Sequence, residues 1–154
     1  MKKSTFYLLF SVLFFYSGFS LNAQVEKKPE TLTKEIFQKK VWNYENNPND
    51  FKYLGNKPCI IDFYADWCGP CRKIAPFMEE FCKTYHEQIY VYKVNTDQQK
   101  ELAALFQVKS IPTVLFVPMQ GPPTATKGAL PKEQFDQLIN QILLNKPQTP
   151  ANEK

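Results

Sequence analysis

The feature that most constrains the fold is the stretch of residues 62–72, where an apolar run meets two closely spaced cysteines. Residues 60–64 are typical of a buried strand, and beyond Cys71 apolar residues recur at helical spacing, at Ile74, Phe77, Met78, Phe81 and Tyr85. Cys68 and Cys71 therefore lie where a strand passes into a helix. The unpaired N–H groups and positive dipole end of a helix N-terminus favour a thiolate, so Cys68 should ionise more readily than a free cysteine. Such a dithiol is suited to disulfide exchange.

A Cys-x-x-Cys pair also occurs in zinc sites and in covalent haem attachment. A zinc site would need two more ligands, and Cys59, Cys82 and the single histidine, His86, show no second paired spacing. Haem attachment requires a histidine directly after the second cysteine, where this chain has Arg72. We therefore expect no metal and no cofactor.

Two motifs carry a resemblance to a known family. Residues 67–71 read Trp-Cys-Gly-Pro-Cys and residues 110–113 read Ser-Ile-Pro-Thr. In these motifs the sequence resembles the thioredoxin family, and the resemblance extends over about residues 31–144. It implies an α/β protein with the thioredoxin fold, in which a central mixed sheet of four to five strands is flanked by about four helices. Cys68 is then the nucleophile that opens a substrate disulfide, and Cys71 is the resolving thiol that releases the product.

The pattern along the chain predicts alternating helices and strands, which implies parallel pairing through crossover connections. Thr33 is expected to cap the first helix, and Pro76 to interrupt the helix that follows the cysteines. We expect a helix opening at Thr96 or Asp97, a short edge strand over 51–54, strands over 59–64 and 89–94, an antiparallel pair over 114–117 and 124–127, and helices over 70–86 and 131–144.

Asp62 is a lone carboxyl group in the buried strand before the cysteines. Burial without a cation raises the pKa of a carboxyl group, which would allow it to transfer a proton near neutral pH. The resemblance implies that Asp62 acts as general acid and base for Cys71, and that Lys93 lies near this carboxyl. The alternatives are a neutral, hydrogen-bonded core aspartate and a solvated edge lysine.

Pro112 is the second mark of the resemblance, which implies a cis peptide bond opposite the dithiol. Because proline has no N–H, the peptide groups of Ile111 would be free to pair with an extended substrate. We expect a substrate-binding rim around the dithiol; for each member the alternative is a core or turn role. Its residues are Trp67, Gly69, Pro70, Ile111, Gly128 and Ala129.

Cys59 and Cys82 raise the question of a second disulfide. Their distances from the active-site end of strand and helix are similar, which would allow one. Alternation along the strand turns Cys59 away from the face of Asp62, however, and thus away from the helix that carries Cys82. We predict two buried free thiols.

The N-terminal residues predict export. Residues 1–23 contain Lys2 and Lys3 followed by an apolar run, the layout of a signal peptide, although a retained membrane anchor is the alternative. We expect a linker over 24–30, a thioredoxin domain over 31–145 and a polar tail over 146–154. A periplasmic or secreted dithiol faces an oxidising environment, so a reductant there needs an electron donor, which we expect to be embedded in the membrane.

Composition limits the classes of function. The net charge of +4 falls to +2 without residues 1–23, too little for an electrostatic grip on nucleic acid. We expect a monomer that reduces protein disulfides, because the Gly-Pro pair between the cysteines favours the reducing direction. The alternatives are a disulfide oxidase or isomerase, and a peptide-binding module with the same fold.

Overall fold

A computed structural model describes residues 28–146 of the chain. Five strands form one mixed sheet: β1 (Glu30–Thr31), β2 (Cys59–Tyr64), β3 (Tyr90–Asn95), β4 (Thr113–Val117) and β5 (Thr124–Lys127). Their order in the sheet is β1-β3-β2-β4-β5, with β2 parallel to β3 and antiparallel to β4. The helices are α1 (Lys34–Lys40), α2 (Gly69–Thr84), α3 (Lys100–Leu105) and α4 (Lys132–Leu138), which continues as a π-helical turn over Ile139–Leu143. The predicted mixed sheet flanked by four helices is confirmed.

Alternation along the strands divides the interior into two cores, one on each face of the sheet. Ile61 and Phe63 of β2 pack with α1 and α3, in a core that also contains Phe37, Val94, Leu102 and Leu115. Ile60 of β2 packs on the opposite face with α2 and α4, in a core that also contains Ile74, Met78, Phe81, Phe116 and Phe135. Asp62 has the same parity as Ile60 and therefore faces α2.

The first strand and the segment around residue 53 differ from the predictions. Glu30 and Thr31 pair with Tyr92 and Lys93 of β3, so Glu30 belongs to the sheet and not to the predicted linker. The edge strand predicted over 51–54 is wrong, because β1 occupies that edge of the sheet. The segment is fixed instead by the Leu54 N–H, which donates to the Val41 carbonyl at 2.9 Å.

Three helices have bounds that differ from the predicted ones. The helix after the cysteines begins at Gly69 and ends at Thr84, and it continues through Pro76. Helix α3 begins at Lys100 instead of near Asp97, because the Asp97 N–H donates to the Asn95 Oδ1 in a turn before the helix. The last helix is α-helical only to Leu138.

The two extra cysteines are buried and unpaired, as predicted. Cys59 lies in the core on the α1 side of the sheet and Cys82 in the core on the α2 side. No helix within residues 28–146 is long and apolar enough to span a membrane. The predicted signal peptide and the tail beyond residue 146 lie outside the described residues.

Candidate functional site: a dithiol at a helix N-terminus

The two cysteines of the motif form a disulfide at the point where β2 passes into α2. Cys68 Sγ lies 2.07 Å from Cys71 Sγ. Cys68 is the N-cap of α2, and its sulfur accepts the N–H of Cys71 at 3.2 Å. Pro70 stands in the first turn, where the absence of a backbone donor leaves no group unpaired. The helix thus directs an N–H group at the sulfur of Cys68, where negative charge would develop on reduction.

In the oxidised state both cysteines are 3% exposed. Exposure therefore does not distinguish the predicted nucleophile, Cys68, from the predicted resolving thiol, Cys71. The difference lies in the surroundings of each sulfur: Cys68 Sγ is the helix cap, whereas Cys71 belongs to the first turn and lines the same cavity as Asp62.

The predicted rim residues on the motif side surround the start of α2. Trp67 is 69% exposed, and its Nε1 donates to Asp97 Oδ2 at 2.9 Å. Pro70 is also exposed, and Gly69 is half-buried. A large exposed aromatic side chain held by a hydrogen bond is a suitable contact for a protein partner.

The predicted rim residues on the other side come from the loop before β4 and the end of β5. The Ile111–Pro112 peptide bond is cis, as expected, and Ile111 packs against the cluster of Ala65, Cys68 and Cys71. The Gly128 N–H donates to the Pro112 carbonyl at 2.8 Å. Gly128 has φ +84°, a conformation that favours glycine, and the exposed Ala129 follows it.

Asp62 lies on β2, six residues before Cys68. It is 5% exposed, and its Oδ1 accepts no hydrogen bond from any residue in the described range. Burial raises the pKa of this carboxyl to about 7, although the charge of Lys93 acts in the opposite direction. Lys93 is the residue directly opposite Asp62 on β3, which agrees with its predicted position. Asp62 can therefore be either protonated or ionised near neutral pH.

A cavity of about 280 Å³ joins this carboxyl to Cys71. Asp62, Lys93 and Cys71 all line it, together with Tyr64, Arg72 and Met78. The space is large enough for several water molecules, which could carry a proton between the carboxyl and the thiol.

Sequence reasoning missed a polar network beside this cavity. Asn95, at the end of β3, is 4% exposed; its Nδ2 donates to Asp66 Oδ2 at 3.2 Å, and its Oδ1 accepts the Asp97 N–H at 3.0 Å. Since Asp97 also holds Trp67, the network connects the rim with the end of β3. The signal in the sequence was that Asn95 is a polar residue at the carboxyl end of a strand, two positions after Lys93.

No group of three or more His, Cys, Asp or Glu side chains within residues 28–146 is arranged to hold a metal ion.

Comparison with known proteins identifies the family. The family model for thioredoxin matches residues 28–141. The thioredoxin of Borreliella burgdorferi is 40% identical over 112 residues, which cover 73% of this chain and 95% of that protein. The thioredoxin of Haemophilus influenzae is 42% identical over 85 residues, or 54% of this chain and 78% of that protein.

A solved structure agrees with the sequence relatives. The crystal structure of chloroplastic thioredoxin z superposes with a TM-score of 0.62 and 25% identity, covering 75% of this chain and 94% of that one. The chain belongs to the thioredoxin family of thiol-disulfide oxidoreductases, and its activity is that of a thioredoxin-type protein-disulfide reductase.

Proposed function

We propose that the protein reduces disulfide bonds of proteins outside the cytosol, with Cys68 as the nucleophile and Cys71 as the resolving thiol. The observation that carries the assignment of roles is the N-cap: the sulfur of Cys68 accepts the Cys71 N–H at the start of a 16-residue helix. A thiolate at this position is stabilised by the helix N-terminus, whereas Cys71, in the first turn, lines the cavity of the buried Asp62 carboxyl.

The reaction has two exchanges. The Cys68 thiolate attacks one sulfur of the substrate disulfide; the S–S bond breaks, and the electron pair leaves on the other substrate sulfur, which takes up a proton. Cys71 then loses its proton and attacks Cys68 Sγ in the mixed disulfide. The substrate leaves as a dithiol, and the protein is left as the Cys68–Cys71 disulfide.

In the second exchange, Asp62 would accept the proton of Cys71. It is the buried carboxyl group in the same cavity, and its pKa of about 7 allows it to accept a proton and release it again near neutral pH. Lys93 on the neighbouring strand would stabilise the ionised form.

The rim provides the substrate contact. Trp67, Gly69 and Pro70 lie on one side of the disulfide, and Ile111, Gly128 and Ala129 on the other. An extended segment of a substrate would lie between them and pair with the peptide groups of Ile111.

The proposed location of the protein and its proposed electron donor are inferred from the sequence. The signal-peptide layout of residues 1–23 supports export to the periplasm or beyond. An exported reductant must be reduced again after each turnover, and a membrane-embedded dithiol donor is the class of partner that can carry electrons across the membrane. We infer that the protein acts as a monomer.

Variants of the two cysteines test the roles. Cys68→Ser should abolish reduction of a model protein disulfide, because no nucleophile remains at the helix cap. Cys71→Ser should still attack and then accumulate a covalent complex, because nothing resolves the mixed disulfide. Non-reducing electrophoresis after mixing with oxidised insulin measures both, and Cys82→Ala, which removes a thiol far from the cap, is the control that should stay active.

Equal trapping by the two variants would contradict the assignment of roles. Fractionation of cells that produce the full chain tests the location separately: the mature protein should appear in the extracytoplasmic fraction, and its recovery in the cytosol would refute export.

A further inference from the structure

Lys93 is a long side chain whose effect on Asp62 depends on where its ammonium group is held. The two residues are direct neighbours across β2 and β3, but Lys93 is only half-buried. A lysine side chain loses considerable rotational freedom when it is fixed in one position. A contact within the cavity would offset part of this loss.

The contact that the structure provides is the ring of Tyr64. Lys93 Nζ lies 5.7 Å from the centroid of this ring, within the range of cation–π attraction. Tyr64 is two residues after Asp62 on β2, so both side chains lie on the same face of the sheet. Tyr64, Asp62 and Lys93 all line the same cavity.

We propose that Tyr64 is a positioning residue, whose ring holds the Lys93 ammonium group in the cavity beside Asp62. The proposal rests on the role assigned to Asp62 in the proposed function. The ring of Tyr64, and not its hydroxyl, fixes the position of the Lys93 ammonium group that faces Asp62.

Four other charged side chains within residues 28–146 line the cavity around Asp62, and so does Cys71, which is held in the disulfide. Helix α2 contributes Cys71, Arg72 and Glu79, the turn after β2 contributes Asp66, and the segment before β1 contributes Lys28. Lys93 is the one directly opposite Asp62 in the strand register, and its charge lowers the pKa of the Asp62 carboxyl against the effect of burial. Moving Lys93 away should therefore leave the carboxyl more difficult to ionise.

The test is a pH titration of the Asp62 carboxyl by ¹³C NMR in the oxidised protein, which requires no turnover. Tyr64→Leu should raise the titration midpoint of Asp62 by about half a pH unit, which corresponds to the free energy of one cation–π contact. This rise should not exceed the one that Lys93→Met causes. Tyr64→Phe, which keeps the ring, should leave the midpoint unchanged. In the Lys93→Met background, Tyr64→Leu should cause no further shift, since no cation remains to be positioned.

Three results would overturn the proposal. An equal shift in Tyr64→Phe and Tyr64→Leu would assign the effect to the hydroxyl. A shift in Lys93→Met without one in Tyr64→Leu would show that another group holds the lysine. A persistent effect of Tyr64→Leu in the Lys93→Met background would mean that the residue acts through burial alone. Each of these leaves cysteine trapping by Cys71→Ser intact, so failure here is separable from failure of the proposed function.

Discussion

A single buried carboxyl group, that of Asp62, makes the stability of this protein depend on pH in an unusual direction. Its folded pKa of about 7 lies above the value of about 3.9 for an exposed aspartate. Between these values the folded state binds the proton more tightly than the unfolded chain does. The free energy of unfolding should therefore fall as pH rises through this interval, and the loss should be complete above about pH 7.

Asp62→Asn should remove this dependence, because an amide has no charge to desolvate. Between pH 5 and pH 8 the oxidised wild-type protein should lose about 2 to 3 kcal/mol more stability than the variant does. Urea unfolding at the two pH values measures the difference. Asp50→Asn, at an exposed position, should retain the wild-type dependence. A variant at position 62 that keeps the full slope would show that another group is responsible.

The individual residues of the site differ in how far the sequence could predict them. Cys68, Cys71, Asp62 and Pro112 stand in motifs with fixed spacing, and the structure brings them together at one end of the sheet. Asn95 and the ring of Tyr64 were not predicted as parts of the site, because their contacts depend on the register between β2 and β3. That register joins residues about 30 positions apart, as in the bond from Asn95 to Asp66, and no local pattern encodes it.

The helices α2 and α4 are joined by a polar cluster at the edge of their apolar contact. The Tyr85 hydroxyl donates to Asp136 Oδ1 at 2.8 Å, and Lys132 bridges Asp136 to Glu80, with Nζ–O distances of 3.0 Å to each carboxylate. Asn140, in the π-helical turn, donates to the Asp136 carbonyl at 2.8 Å. The cluster therefore ties the end of α2 to the point where α4 changes its hydrogen-bonding pattern.

Tyr85→Phe should cost about 1 to 2 kcal/mol, because it leaves a partly buried carboxylate oxygen without its donor while the ring still fills the core. Equilibrium unfolding in urea measures this loss. Tyr90→Phe is the matched control: its hydroxyl donates to Asn56 Oδ1 at 2.8 Å in an exposed position, so its loss should be smaller. Equal losses in the two variants would show that the cluster adds nothing beyond an ordinary surface hydrogen bond.

The helices and strands were predicted best where periodicity was strong. The bounds of β2 agree with the sequence pattern, and those of α2 differ by one or two residues. The π-helical turn after Leu138 was not predictable, since its apolar spacing is also compatible with a continuous α-helix. The edge strand over 51–54 was predicted wrongly for another reason: the aromatic side chains of this segment pack on the α1 core, but its backbone does not join the sheet.

In the molecule as a whole, the sheet separates the two free thiols, and both are buried. Cys59 and Cys82 lie in different cores, and burial raises the pKa of Cys59 to about 12 and that of Cys82 to about 11. Because only the thiolate reacts rapidly, both groups should be inert in the folded protein at neutral pH. The alternation of side chains along β2, together with the expectation that Asp62 faces the helix of Cys71, predicted this separation from the sequence.

A thiol assay on the oxidised protein tests this arrangement. Without denaturant, Ellman's reagent should find almost no reactive thiol, and in urea it should find both Cys59 and Cys82. Of the two, Cys82 should react first as denaturant is added, since it borders a cavity of about 250 Å³ whereas Cys59 is completely buried. Cys82→Ala should remove the earlier phase. Failure to detect any thiol in urea would indicate a disulfide between them.

The order of the strands has a consequence for how local opening reaches the redox centre. Strand β2 is bonded along both edges and covered by a core on each face, whereas the two outer strands are short or exposed. Fraying of either outer strand leaves β2 in register with β3 and β4. Cys68 follows the last residue of β2 by four positions, so the disulfide is attached to the central strand of the sheet. A partner that displaces only β1 or β5 would therefore leave the dithiol in place.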